Sequence, residues 1–202
     1  MSDSKSPFEI IFSYPVVLFD YDRTIMSLAI DWPAARESCR AWLTEKFPGF
    51  ATGTTERMDE MEAAAIGQFP DRAHDIFEFR RQLEGSEMEE HTPQPEVISL
   101  VRDLAAPKDA RRLFIISNNL HATVKTGLRA LGLAGHFEAI LGIDDVGLPK
   151  PSIKAAHLLH EQYGVDLQKS ILVGDSPSTD GEFCRLAGIP YFNIQPFTTH
   201  CR

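Results

Sequence analysis

At 202 residues the chain is long enough to bury a substantial core, either as one ordinary domain or as a core with a modest insertion. A composition of 43% apolar and 24% charged residues is that of a globular protein and excludes wholesale disorder. The formal charge of −9 argues against an electrostatic grip on nucleic acid or an anionic membrane surface, because both need clustered Lys and Arg; a bound metal ion suits that balance better.

Cys39, Cys184 and Cys201 are widely spaced and odd in number, with no Cys-x-x-Cys, so neither a disulfide framework nor a zinc site is expected. A reducing cytoplasm is the natural setting for such thiols. The opening "MSDSKSPFEI" lacks the order of a secretory signal, and no apolar run approaches the ~20 residues of a membrane span. Residues up to about Pro7 read as a loose tail.

In chain order, "VVLF" from Val16 is a continuous apolar, β-branched run of the kind that fills a parallel sheet covered on both faces. From Asp31 to about Glu90 the reading turns helical. "DWPAARESCRAWLTEKF" offers Asp31 as an N-cap, a proline just inside, and Trp32, Cys39, Trp42 and Leu43 at helical spacing. "TTERMDEMEAAAIGQF" and "DRAHDIFEFRRQLEG" follow as two further amphipathic helices, punctuated by "FPGFATG" and "FPD". After Pro93 a regular alternation sets in: helix "PEVISLVRDLA", strand "RLFIIS", helix "HATVKTGLRALG" closed by a glycine, strand "FEAILG" and helix "PSIKAAHLLHEQYG". Strand "SILVGD", helix "DGEFCRLAG" and strand "PYFNI" complete it. Such alternation implies an α/β fold with a Rossmann-like, doubly wound parallel sheet, whose ligands bind beyond the carboxyl ends of the strands. The helical block reads as an insertion directly after the first strand.

Charge at the exit of that first strand is costly unless it is paired or used. "VVLFDYDRTI" nevertheless places Asp20 and Asp22 there, and an extended exit turns both to the same side. Two other strands end alike, in "FIISNN" and "ILVGDSPSTD", and "GLPKPS" supplies a lysine between them. These four segments, in order, resemble the motifs of the haloacid dehalogenase superfamily: Asp-x-Asp-x-Thr, an apolar run ending in Ser or Thr, a lysine, and Gly-Asp followed by a second acid. The similarity runs from Val16 to Ile194, and within the superfamily the chain resembles the phosphoglycolate phosphatase-like members with a small helical cap.

The resemblance implies a Mg2+-dependent phosphatase that acts on a small phosphorylated metabolite through an aspartyl-phosphate. Asp20 would be the nucleophile and Asp22 the general acid and base. Ser117, the amide of Asn118 and Lys150 would hold the phosphoryl group, and Asp20 and Asp175 would bind the metal. Asp22 would join that site through its main-chain carbonyl, with Thr24 and Asp180 supporting. Relatives that cleave carbon–halogen bonds lack the second acid, so Asp22 favours phosphoryl chemistry. The insertion, residues 29–91, stands where the family carries its cap, which leaves 1–28 and 92–202 as the core. Arg36, Arg40, Arg57, Arg72, Arg80 and Arg81 are the cap cations available to a substrate.

Two positions depart from the family pattern. Arg23 stands where many relatives have glycine, either as a tolerated residue or with its guanidinium near the phosphate entrance. "GDSPSTD" has four residues between its acids where many relatives have three. Blander roles fit other residues: Ser117 and Asn118 as helix caps, Trp32 and Trp42 as cap core, the cysteines as packing, and His157 with His160 as a helix face. His121 lies close enough to the second motif to touch substrate. A phosphosugar mutase and a catalytically silent binding module remain as alternatives, and a monomer or weak homodimer without nucleic-acid or membrane partners is expected.

Overall fold

The computed structural model of the protein describes residues 7–51, 57–85, 90–108 and 110–198. Five parallel strands form one sheet in the order β5-β4-β1-β6-β7, with β1 (Val16–Phe19), β4 (Arg112–Ile116), β5 (Ala139–Leu141), β6 (Ser170–Gly174) and β7 (Tyr191–Asn193). Every residue of β1 is buried, as the unbroken apolar run requires. Alternate residues serve opposite faces. Val17 and Phe19 pack with Leu113, Ile115 and Val173 on one side, while Val16 and Leu18 pack with Phe114, Ile116 and Leu172 on the other. Helices α4 (Pro95–Leu104) and α5 (His121–Ala130) cover the first face; α7 (Lys154–Tyr163) and α8 (Glu182–Ala187) cover the second. The result is the expected α/β, Rossmann-like, doubly wound sheet.

Three helices intervene between β1 and α4: α1 (Trp32–Lys46), α2 (Met58–Gln68) and α3 (Ala73–Glu84). The Asp31 carboxylate caps α1 by accepting from the Ala34 amide at 3.1 Å. These helices bury their own apolar cluster, including Cys39, Leu43, Met61, Ala65 and Ile76, and Trp42 stacks on Phe79 at 4.6 Å between ring centroids. The chain enters and leaves this block through a short antiparallel pair, β2 (Met26–Ser27) with β3 (Thr92–Pro93), which two-residue strands do not announce in sequence. The Gln94 side-chain Nε2 donates to Ser27 Oγ and the Ala29 backbone amide to His91 Nδ1, so both crossings are tied together.

Several boundaries differ from the sequence reading. Helix α7 begins at Lys154 rather than at Pro151, because residues 149–152 turn first, with the Ser152 amide donating to Pro149 O. A four-residue helix, α6 (Ile143–Val146), was not anticipated. The segment before α8 is a π-helical turn, Pro177–Gly181. The N-terminal tail before Pro7, the expected start of α2 at Thr54 and the packing of Cys201 all lie outside the described residues. No helix among the described residues is long and apolar enough to cross a membrane.

Candidate active site

The three central strands deliver acids and hydroxyls to one edge of the sheet. The Asp20 amide still pairs with Val173 O, whereas Tyr21 turns into the core and is fully buried, so Asp20 and Asp22 project together away from it. Lys150 Nζ donates to Asp20 Oδ1 and to Asp180 Oδ1, each at 2.6 Å. Thr24 Oγ1 donates to Asp20 Oδ2 at 3.0 Å. Asp20, Lys150, Asp175 and Asp180 are all buried. Carboxylate oxygens of Asp20, Asp175 and Asp180 lie within 4.8 Å of one another.

Crowding acids in a buried site shifts their protonation. Burial, with Asp180 and Asp175 adding repulsion, pushes Asp20 up to about 8 despite the opposing Lys150. Burial followed by Asp180 and Asp22 pushes Asp175 up to about 7. For Lys150 burial works against the charge, but Asp180 and Asp20 outweigh it and hold the ammonium protonated. Fully ionised, the three carboxylates would outweigh the one lysine, so they hold protons unless a cation takes their place, and an all-oxygen donor set of this kind suits a hard divalent cation such as Mg2+.

Asp22 is arranged differently from the other acids. Its Oδ1 accepts from the Leu28 amide at 2.9 Å and its Oδ2 from the Trp32 indole at 3.1 Å, which keeps its carboxylate out of the cluster of three. Of the trio expected at the metal, Asp20 and Asp175 therefore contribute carboxylates to the cluster; Asp22 does not, and Asp180 does. Burial raises Asp22 to about 6, with the Leu28 amide, Arg23 and Trp32 opposing.

The longer spacing in "GDSPSTD" has a local explanation. Within the π turn the Gly181 amide reaches back to Ser176 O at 3.1 Å, an i→i+5 bond whose loop holds one residue more than an α turn. Asp180 thus still meets Lys150, and its Oδ2 accepts from the Ser176 amide. Gly174 permits this approach: a Cβ there would sit 2.7 Å from the Asp180 carboxyl carbon.

After β4, Ser117 is buried and its hydroxyl donates to Asn119 Oδ1 at 3.0 Å. Asn118 braces the lysine loop, its Oδ1 accepting from the Lys150 amide at 2.8 Å and its Nδ2 donating to Asp59 at 2.6 Å. Neither caps α5. That task falls to Glu84, which accepts from the Leu120 amide, and to Asp144, which accepts from the His121 amide. Glu84 also accepts from Asn119 Nδ2 at 3.1 Å and pairs with Arg80, itself bonded to Glu62 at 2.7 Å. Asn119 and Glu84 were not singled out in the sequence: Asn119 looks like a repeat of its neighbour, and nothing local to Glu84 distinguishes it from a solvated helix end.

A cavity of about 480 Å³ opens over these groups. Its walls include Asp20, Asp22, Asp175 and Lys150 from the core, and Trp32, Met58 and Asp59 from the inserted helices. Of the inserted arginines, Arg36, Arg57 and Arg80 line it; Arg72 instead pairs with Asp75 and lies over the Phe47 ring, and Arg81 pairs with Glu78. Trp32 is therefore wall as well as packing. His121 sits outside the cavity walls, beside Asp145 at 2.8 Å. Cys39 and Cys184 are buried, and burial pushes both thiols up to about 12, as inert packing residues require.

The chain is similar to known proteins over different shares of its length. A pyrophosphatase, PpaX, of Bacillus velezensis is 33% identical over 69 residues, which is 34% of this chain and 32% of that protein. A phosphoglycolate phosphatase of Aquifex aeolicus is 28% identical over 80% of this chain and 76% of its own length. The chain thus spans about a third of the first relative and three quarters of the second. The hydrolase YfnB of Bacillus subtilis, solved with bound magnesium, superposes with a TM-score of 0.56 at 22% identity, over 91% of this chain and 90% of that one. The family model for haloacid dehalogenase-like hydrolases matches residues 17–194, from the second residue of β1 to the residue after the last strand, and so takes in every acid, hydroxyl and lysine at the sheet edge. The chain belongs to the haloacid dehalogenase-like hydrolase family.

Proposed function

We propose that the chain is a Mg2+-dependent phosphatase that hydrolyses a small phosphorylated metabolite through an aspartyl-phosphate on Asp20. One observation carries this reading: Lys150 bridges Asp20 and Asp180 inside a buried cluster whose third carboxylate is Asp175. A protein relieved of catalysis has no physical need to crowd three acids there. The names of the similar proteins support it, since they include phosphatases and a magnesium-bound hydrolase.

Asp20, Asp175 and the main-chain carbonyl of Asp22 would hold Mg2+, with Asp180 beside them. When bound, the ion would offset the repulsion between the Asp20 carboxylate and an anionic phosphoryl group. Lys150, Asn118 and the Ser117 hydroxyl, once released from Asn119, would hold the phosphoryl oxygens. Thr24 orients Asp20 through Oδ2. The Asp20 carboxylate attacks phosphorus while Asp22, raised to about 6 and hence partly protonated near neutrality, gives its proton to the departing oxygen. Asp22 then takes a proton from water as that water attacks the phosphorus, which frees Asp20 and inorganic phosphate.

The division into a core, 1–28 and 92–202, and a helical cap, 29–91, belongs to the same reading. The separate apolar cluster of α1–α3 and the paired crossings at β2 and β3 support it. Such a cap would exclude water and select the substrate.

Phosphate release from an aryl phosphate and a panel of phosphorylated metabolites, with Mg2+ and with excess chelator, tests this function. Metal-dependent release lost in Asp20→Asn is expected. Release that survives in pure Asp20→Asn protein would refute it.

A further inference from the structure

We propose that Arg23 and Arg36 form a subsite for a second anionic group of the substrate, a carboxylate or a second phosphate carried beyond the reacting phosphoryl group. The proposal deepens the phosphatase reading and rests on it for the position of the first phosphoryl group.

Five cationic side chains line the cavity: Arg23, Arg36, Arg57, Arg80 and Lys150. Three are already matched. Lys150 is shared by Asp20 and Asp180, Arg57 pairs with Asp59 at 2.7 Å, and Arg80 pairs with Glu62 and Glu84. The side chains of Arg23 and Arg36 form no ion pair or hydrogen bond with any described residue. Asp22 and Asp175 feel the field of Arg23 without pairing to it. Two guanidinium groups therefore face one cavity with their donors unused, and the planar fork of each suits a carboxylate or phosphate.

Placement of the two residues is specific. Arg23 has a backbone φ of 59°, the left-handed region that a side chain other than glycine's occupies only at a cost. A turn whose backbone favours glycine instead sets a cation beside the acids at the β1 exit. Arg36 lies one helical turn beyond Trp32, on the same side of α1. The Trp32 indole donates to Asp22 Oδ2, so the bond that orients Asp22 also fixes the turn of helix from which Arg36 reaches the cavity. One arginine comes from the sheet edge and the other from the inserted helices. A ligand that engaged both would hold those two parts together over the reacting phosphoryl group.

The test is calorimetric titration of the Mg2+-loaded protein with three phosphonates that cannot turn over: ethylphosphonate, phosphonoacetate and an ethylene-bridged diphosphonate. The quantity read is the affinity ratio of an anionic tail to the neutral ethyl tail. For the unmodified protein at least one anionic tail should bind about tenfold tighter than ethylphosphonate. The larger of the two ratios identifies carboxylate or phosphate as the preferred group. Arg23→Gly, which suits the left-handed backbone, and Arg36→Gln, which keeps helix propensity, should each lower the ratio about fivefold, and the double variant should bring it close to unity. A ratio near unity in the unmodified protein, a ratio that neither substitution moves, or failure of all three phosphonates to bind would overturn the subsite. Because phosphonates need no turnover, a preserved ratio alongside no phosphate release from any ester would defeat the phosphatase reading and leave the subsite standing.

Discussion

Glu84, at the end of the last inserted helix, accepts a hydrogen bond from Asn119 Nδ2 at 3.1 Å, and Asn119 Oδ1 in turn accepts the Ser117 hydroxyl at 3.0 Å. One acid of the inserted helices thus dictates which way the Asn119 amide faces, and through it where the Ser117 hydroxyl points. The same carboxylate takes the Leu120 amide and the Arg80 guanidinium, and every partner is buried.

Removing that carboxylate orphans three donors at once. Glu84→Ala is expected to cost about 3–5 kcal/mol, the range for breaking a buried charged pair, and Glu84→Gln about 1–3 kcal/mol, because one acceptor oxygen survives. Urea unfolding followed by circular dichroism measures both; a Glu84→Ala protein with an unchanged midpoint would mean the network carries no stability.

Asp22 is predicted to matter more when the leaving group is poor. Asp22→Asn removes the proton that an alkoxide needs but an aryl oxide can do without, so turnover of alkyl phosphates should fall about 10²–10⁴-fold and that of an aryl phosphate by less. Steady-state kinetics on the two ester types checks it. Equal losses on both would assign Asp22 to structure, through its bonds to Leu28 and Trp32, and not to proton transfer.

Mg2+ affinity should rise with pH. Without a cation, Asp20 is raised to about 8 and Asp175 to about 7, chiefly by burial, whereas an unfolded aspartate titrates near ~4. Between those limits the folded, metal-free protein binds more protons than the unfolded chain, so its stability declines as pH rises through the window. Metal binding displaces the protons. The gain in melting temperature on adding Mg2+ should therefore be larger at about pH 8 than at about pH 6. A gain that is equal or larger at the lower pH would contradict a metal held by these carboxylates.

The legible parts of the fold are those where one residue's surroundings are set by its own segment. "VVLF", "RLFII" and "SILVG" read as strands because both their faces are buried, and Asp20, Ser117 and Asp175 stand out because each breaks an apolar run at a strand exit. Asp31 and Gly132 marked helix ends through capping chemistry that acts over a few residues. What stayed hidden depends on partners far along the chain. Glu84 gains its meaning from Asn119 and Leu120, Trp32 from Asp22, and Arg57 from Thr179 and the Lys150 carbonyl. The π turn at Pro177–Gly181 explains a spacing that looked like a departure, yet nothing in the residues themselves says which turn absorbs the extra one. Arg23 and Arg36 were visible as charges, but their lack of partners is a property of the folded cavity.

The central claim is a covalent phosphoryl group on Asp20, and borohydride reduction tests it most directly. Protein quenched during turnover of an aryl phosphate with Mg2+, then reduced and digested, should carry homoserine at position 20 by mass spectrometry, because reduction of an acyl phosphate converts aspartate to that residue. Omitting substrate or adding chelator should abolish the conversion. Turnover without modification at Asp20, or modification at another carboxylate, would contradict the account.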